Sequence, residues 1–263
     1  MYQNDRDLAV KAAQRAGEIA LSYWQQGIQA ESKPDLSPVT VADRESERAI
    51  AAMIEAAFPE DGILGEEGAN KASRNGRQWI IDPIDGTRDF VRGNRAWAVL
   101  IGLEEHGEIV AGVAFLPAMQ EMFTATRGGG AFLNGAPIRV SSISDPSQAV
   151  LCLNGFNSVA ERPFARELLE KMRPYWAVRS MGGCLDAVMV ARGQAEVWIE
   201  LSGKPWDFAP LKLLAEEAGG RFFNFEGGSS IYGGNCVICT PSLEAAARSL
   251  VGRGIALETE PRP

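Results

Sequence analysis

The nine residues from Trp79 to Thr87, WIIDPIDGT, constrain this chain more than any other stretch. The apolar run Trp79-Ile80-Ile81 reads as a buried strand, and Pro83 stops ladder hydrogen bonding immediately after Asp82. A strand over 78 to 82 thus carries a carboxylate to its own end, with Asp85 following three residues on. Gly86 lets the backbone approach a ligand closely, and Thr87 adds a hydroxyl beside backbone N–H groups. Carboxylates beside such a turn suit a metal ion bridging to phosphate. The competing reading is a plain turn, because Pro-x-Asp-Gly is ordinary turn chemistry.

Two further acidic clusters tilt that balance: Gly65-Glu66-Glu67-Gly68 and Trp206-Asp207, each where an element is expected to begin or end. In their order and separation, GEEG at 65 to 68, WIIDPIDGT at 79 to 87 and WDFAPLKLLAEEAGG at 206 to 220 resemble the inositol monophosphatase family. Val39 to Asp43 looks like that family's VTxAD element, and RGGGAFLNG at 127 to 135 is similar to its glycine-rich hairpin. The two ends and the segment near 141 to 175 match least.

Composition narrows the partners. With 34 acidic against 26 basic residues and no Lys/Arg cluster, the chain is a poor fit to nucleic acid or an anionic membrane surface. An acidic protein that handles phosphate needs cations between the two. The charged N-terminus lacks the pattern of a signal peptide, and no apolar run approaches membrane-spanning length. Cys152, Cys184, Cys236 and Cys239 therefore read as free thiols in a reducing cytoplasm. Cys236 and Cys239 have CxxC spacing, yet zinc needs two more ligands, so a buried strand holding two thiols is favoured.

Periodicity supports α plus β. Leu8, Ala12, Ile19 and Tyr23 keep helical spacing, with Asn4 and Asp7 suited to the helix start. A second helix is expected from Asp43 to Ala57, with Ile50, Met53, Ile54 and Ala57 as its stripe. Strands follow at 96 to 103, 109 to 115 and 122 to 125, so the first half reads as helices on an antiparallel sheet. The polar segment Ser141 to Ser147 suggests a boundary, giving halves of 1 to 143 and 144 to 263. Helices and strands alternate beyond it, and a helix over 207 to 218 turns Phe208, Leu211, Leu214, Ala215 and Ala218 inward. The resemblance implies a layered α-β-α-β-α sandwich of the sugar-phosphatase type, with the active site between the halves.

An all-oxygen donor set without nearby histidine or thiol selects hard cations. By the resemblance, Glu66, Asp82, Asp85, Asp207 and the Ile84 carbonyl ligate metal, with Mg²⁺ expected, two or three ions, and Mn²⁺ a substitute. Two ions about 3.5–4 Å apart would polarise phosphoryl oxygens and stabilise a leaving alkoxide. The resemblance gives Asp43 and Thr87 the task of orienting and deprotonating water, with Glu66 in the same catalytic set. Thr40-x-x-Asp43 is equally a helix cap, and Asp207 equally an acid favoured in a helix first turn. Asp85, Gly86, Thr87, Gly183, Cys184, Glu200 and Asp207 are the implied phosphate and substrate contacts. Glu67 and Lys33 are as compatible with solvated surface as with the site.

The expected activity is hydrolysis of a small phosphorylated alcohol, inositol monophosphatase-like. A histidinol-phosphate phosphatase is the alternative. DGTRDFVRG resembles that branch, whereas Gly182-Gly183-Cys184 meets the pattern of neither. A haloacid-dehalogenase site needs DxDx[TV], which the spacing of Asp82 and Asp85 breaks. A serine hydrolase would depend on His106, the single histidine, set in a polar turn. From another class, a non-catalytic calcium-binding module would use the carboxylates but leave Thr87 and Asp43 idle. The resemblance also implies a homodimer and sensitivity to lithium.

Overall fold

Trp79 and Ile81 point to one side of their strand and Ile80 to the other, and helices cover both sides. The computed structural model describes residues 2–27, 30–32, 38–160 and 164–251. Its first half contains α1 (Gln3–Gln26), β1 (Glu31–Ser32), β2 (Pro38–Val39), α2 (Val41–Ala57), β3 (Gly62–Gly65), β4 (Asn70–Lys71), β5 (Arg77–Asp85) and α3 (Thr87–Val91). Five further strands follow: β6 (Ala98–Glu105), β7 (Glu108–Leu116), β8 (Glu121–Thr126), β9 (Gly130–Leu133) and β10 (Ala136–Pro137). The second half runs β11 (Val150–Asn154), α4 (Phe156–Ala160), α5 (Ala165–Met172), β12 (Ala177–Arg179), α6 (Gly183–Ala191) and β13 (Val197–Glu200). It finishes with α7 (Pro205–Glu217), β14 (Arg221–Phe223), β15 (Cys236–Cys239) and α8 (Glu244–Val251).

Eight strands form one sheet in the order β10-β9-β8-β7-β6-β5-β3-β4, and five form another, β12-β11-β13-β15-β14. The eight-stranded sheet departs from the expected antiparallel pattern at one place, where β3 runs parallel to β5. That pairing brings the C-terminal ends of two strands side by side. Helices α1 and α2 cover its outer face, packing Ala12, Ala16, Ile50 and Ile54 against Trp79, Ile81 and Ile101. The inner face, with Ile80, Leu100 and Ala114, meets α6 and α7, which also rest on Trp198 and Ile238 of the second sheet. Leu168 of α5 and Leu250 of α8 close the far side over Leu151, Ile199 and Val237. The result is the expected α-β-α-β-α layering.

Several local expectations change. Helix α1 begins at Gln3 behind Tyr2, a residue in left-handed conformation with no side-chain cap, so Asn4 lies inside the helix. Its buried stripe is Ala9, Ala12, Ala13, Ala16 and Ala20, while Leu8, Ile19 and Tyr23 are half-buried. Small side chains let α1 lie close to α2. In α2, Ile50 and Ile54 are buried, Met53 partly so, and Ala57 is exposed; the buried face continues through polar Glu47, Ser46 and Asp43. An interior stripe that turns polar at one helix end marks where the core gives way to a site.

Helix α7 is buried nearly all round, Ala209, Pro210, Lys212 and Leu213 included, because it lies between the two sheets. Its approach is permitted by the cross-strand pair Gly102 and Gly112. A Cβ on Gly102 would come 2.8 Å from the Ala209 Cβ, and one on Gly112 3.1 Å from the Pro210 Cα. The glycine-rich loop is similarly engaged: Gly128 and Gly130 donate to the two Glu217 carboxylate oxygens at 2.9 Å each. Those amides serve the packing of α7, not a phosphate.

Cys236 and Cys239 lie on β15 as expected, and both are buried and free. Strand alternation sends Cys236 into the layer between the sheets and Cys239 toward the outer helices, so the CxxC spacing cannot chelate one ion. Among the described residues no helix is long and apolar enough to cross a membrane.

Gly102→Ala should therefore cost about 1–3 kcal/mol, the usual penalty of overpacking, because the new methyl meets the Ala209 methyl, which has no rotamer by which to move aside. Thermal and urea denaturation would register it. A neutral result would contradict the close seating of α7.

Candidate active site

Strand β5 extends past the proline that was expected to end it. Pairing with β6 is regular as far as Asp82 opposite Leu100, then slips so that Asp85 faces Ala98. β5 advances three residues while β6 advances two, and the extra residue is a bulge at Pro83-Ile84, where a strand tolerates proline. In a regular strand, residues three apart point to opposite faces. The bulge brings Asp82 and Asp85 together. Asp82 Oδ1 accepts the Ile84 N–H at 3.0 Å, which holds the distorted segment.

The neighbouring elements converge on the same end. Glu66 follows β3, and its N–H donates to the Ile81 carbonyl at 3.1 Å, tying the GEEG loop to β5. Glu47 of α2 clamps that loop by accepting from Glu67 N and Ala69 N, each at 2.7 Å. Asp207 sits in the first turn of α7 with Oδ2 accepting from Lys204 N at 2.7 Å. The helix-start reading of Asp207 is therefore present alongside its place in the site. Carboxylate oxygens of Asp82, Asp85 and Asp207 lie within 4.8 Å of one another. Glu66 completes the acidic wall by hydrogen bonding toward Asp82.

These groups line a cleft of about 270 Å³ together with Ile84, Gly86, Thr87, Arg88, Asp89, Asn154, Gly182 and Gly183. Gly86 has φ +86°, and a Cβ there would come 2.8 Å from the Ala96 carbonyl, so the turn requires glycine. Burial raises the Asp82 pKa well above the carboxylate range, helped by the charges of Glu66, Asp85 and Asp207. Burial likewise raises Asp85, with Glu66 and Asp89 adding to it and hydrogen bonds from Cys184 opposing. Asp207 is pushed up to about 8, first by burial and then by Asp85. Such repulsion is what a hard divalent cation relieves, and the all-oxygen set fits one.

Asp43 caps helix α2 with one carboxylate oxygen and faces Thr87 with the other. Its Oδ2 accepts from Thr40 N at 2.8 Å and Thr40 Oγ1 at 2.6 Å, while Thr40 Oγ1 accepts from Asp43 N at 3.4 Å, closing a capping box. Its other oxygen, Oδ1, faces Thr87 Oγ1 at 3.3 Å; the same hydroxyl lies 3.2 Å from the Ile84 carbonyl. Burial raises Asp43 to about 6, against the lowering hydrogen bonds from Thr40.

The second half supplies the far wall. The N-terminal turn of α6 abuts Asp85, whose Oδ2 accepts from Cys184 N at 3.0 Å, and a Cβ on Gly183 would lie 3.0 Å from the same oxygen. Glu200 is buried rather than an exposed strand end, with Oε2 accepting from Asn154 Nδ2 at 2.6 Å. Asn154, not Glu200, lines the cleft. Burial raises Glu200 to about 7. His106 is exposed in the β6–β7 turn, at the opposite end of β6 from Ala98, which rules out a role beside the aspartates. Lys33 lies outside the described residues. Sequence reasoning missed Glu47, Arg88, Asp89 and Asn154; the position of Asn154 at the C-terminal end of parallel strand β11 was the available signal.

A family model described as the inositol monophosphatase family matches residues 1–254. The histidinol-phosphatase of Chlorobaculum parvum is 38% identical over 252 residues, covering 95% of this chain and 95% of that protein. The inositol-1-monophosphatase of Rhizobium meliloti is 35% identical over 257 residues, covering 95% and 96%. Among solved structures, the Thermotoga maritima IMPase superposes with a TM-score of 0.86 at 29% identity, covering 95% of this chain and 97% of that one.

The raised carboxylates make a signed prediction. Asp207 moves from 3.8 to about 8, so between those values the folded metal-free protein holds more protons than the unfolded chain. Its stability should fall as pH rises through that window. Thermal midpoints in chelator, taken at intervals across the window, should decline, and a saturating divalent cation should flatten the decline by replacing the protons. Midpoints that climb with pH, or ignore the cation, would remove the repulsion account.

Proposed function

Because the chain belongs to the inositol monophosphatase family and is a phosphoric monoester hydrolase, we propose that it hydrolyses a small phosphorylated alcohol with Mg²⁺, with histidinol phosphate placed ahead of inositol 1-phosphate. The observation that carries the reaction is the meeting of Asp82, Asp85 and Asp207 with the Thr87–Asp43 pair in one cleft. The order of substrates follows the relatives: histidinol-phosphatases at 38% and 37% identity stand above an inositol-1-monophosphatase at 35%.

Glu66, Asp82, Asp85, Asp207 and the Ile84 carbonyl would hold two or three Mg²⁺ ions, with Mn²⁺ a workable substitute. Bound there, the ions supply positive charge that polarises the phosphoryl oxygens and stabilises the leaving alkoxide. Gly86 and Thr87 receive the phosphate at the glycine turn. Thr87 Oγ1 gives its proton toward Asp43 Oδ1 and turns a lone pair to the attacking water, orienting it in line with the phosphorus. An Asp43 carboxyl near 6 is ionised at neutral pH yet basic enough to draw that proton. Gly183, Cys184 and Glu200, the last acting through Asn154, shape the wall against the organic portion. In this reading residues 1–143 hold most of the ligands, and 144–263 add Asp207 and that wall. A cytoplasmic homodimer suits the four buried thiols and the family resemblance.

Purified protein with Mg²⁺ should release phosphate from histidinol phosphate or inositol 1-phosphate, and excess chelator should abolish it. Asp85→Asn should cost turnover about 10²-fold or more. Hydrolysis that persists in chelator would end the metal reading.

Thr87→Val should lower kcat about 10²-fold while the Mg²⁺-induced rise in thermal midpoint survives, since it removes a hydroxyl and no ligand. Asp43→Asn should lose both turnover and about 1 kcal/mol of stability, because one side chain does two jobs. Normal turnover in either variant would leave Asp43 as a helix cap alone.

A further inference from the structure

With the carboxylates of Glu66, Asp82, Asp85 and Asp207 assigned to cations, two charged residues of the cleft lining remain, Arg88 and Asp89. Arg88 is exposed at the rim. Asp89 is half-buried and held in place: its Oδ1 accepts from Asn94 Nδ2 at 2.6 Å, and its carbonyl accepts from Asn94 N at 2.9 Å. The other oxygen, Oδ2, has no hydrogen-bond partner among the described residues. It lies against the second half, 3.4 Å from the position a Cβ on Gly182 would take. Arg88, Arg92 and Arg95 are all within six positions in sequence, yet none forms an ion pair with Asp89 among the described residues. One oxygen of this anchored carboxylate therefore stays without a protein partner among the described residues, in a cleft lining it shares with Gly182 and Gly183.

We propose that Asp89 is a specificity-determining residue of this cleft, selecting phosphomonoesters whose alcohol carries an ammonium or imidazolium over uncharged polyol phosphates. The inference rests on the phosphatase reading above and adds a residue and a charge to it. Phosphate is held at the Gly86–Thr87 turn, so the organic portion leaves toward Gly182, Gly183 and Asn154, where Asp89 Oδ2 waits. A hydroxyl could be received there by an amide equally well. A positive charge gains a charge-assisted hydrogen bond that an amide cannot return, about twice the strength of a neutral one.

The test compares histidinol phosphate, which is cationic, with inositol 1-phosphate, which is not, in wild type, Asp89→Asn and Asp89→Glu, all with Mg²⁺. Asparagine preserves the shape and the acceptor for Asn94, so folding is retained; the Mg²⁺-induced rise in thermal midpoint verifies it. Wild type should favour histidinol phosphate, and Asp89→Asn should lower the ratio of the two kcat/KM values about tenfold, chiefly through KM for the cation. Asp89→Glu should restore part of that ratio. Calorimetry with histidinol in place of substrate should show binding weakened by a similar factor in Asp89→Asn. A ratio that stays within about twofold, or a wild type that favours inositol 1-phosphate, overturns the inference while leaving the phosphatase intact. A wild type that cleaves neither compound overturns the substrate reading above, and the inference falls with it.

Discussion

Carboxylates gathered under a largely buried surface repel one another, and the structure around Asp82 is arranged to hold them together regardless. Each is gripped from behind by backbone: Asp82 by Ile84 N, Asp85 by Cys184 N and Asp207 by Lys204 N. Glu66 is held by its own N–H on the Ile81 carbonyl. These donors come from four different segments, so the cluster exists only when both sheets and α7 are seated. Burial and mutual repulsion raise the pKa values of Asp82, Asp85 and Asp207, a cost that a cation bound among them would relieve.

Seating α7 is the step that joins the halves. The glycine pair of β6 and β7 lets the helix lie against the first sheet, and Glu217 at its end fastens the Gly128–Gly130 loop. Asp207, at the other end, reaches the aspartates of β5. One helix thus carries a carboxylate of the acidic cluster, a packing surface and a loop anchor. Tight packing along its length transmits any displacement to the cleft.

Asp43 shows how a helix cap and the proposed base share one side chain without conflict. A capping box consumes one oxygen and leaves the second facing Thr87. The cap also fixes the rotamer, which a base needs more than it needs strength. Glu47, one turn along α2, does comparable work for the neighbouring loop by accepting two of its amides. The polar stripe of α2 is therefore the bracket that aligns Asp43 with the acidic wall.

Local patterning determined much by itself. The apolar run in β5, the DPIDG sequence and the inward face of α7 were legible because each depends on neighbours in the chain. The family resemblance added Glu66 and Asp207 through motifs too distant for periodicity to connect. What tertiary structure alone decided is which groups meet. A bulge at Pro83-Ile84 puts Asp82 and Asp85 on the same side, against the alternation their spacing implies. No motif singled out Glu47, Asp89 or Asn154, and only folding brings them to one cleft or its supporting loop. Side-chain type and spacing report a residue's local partners, whereas the partners that hold a carboxylate against its neighbours arrive from across the chain, through sheet register and helix packing.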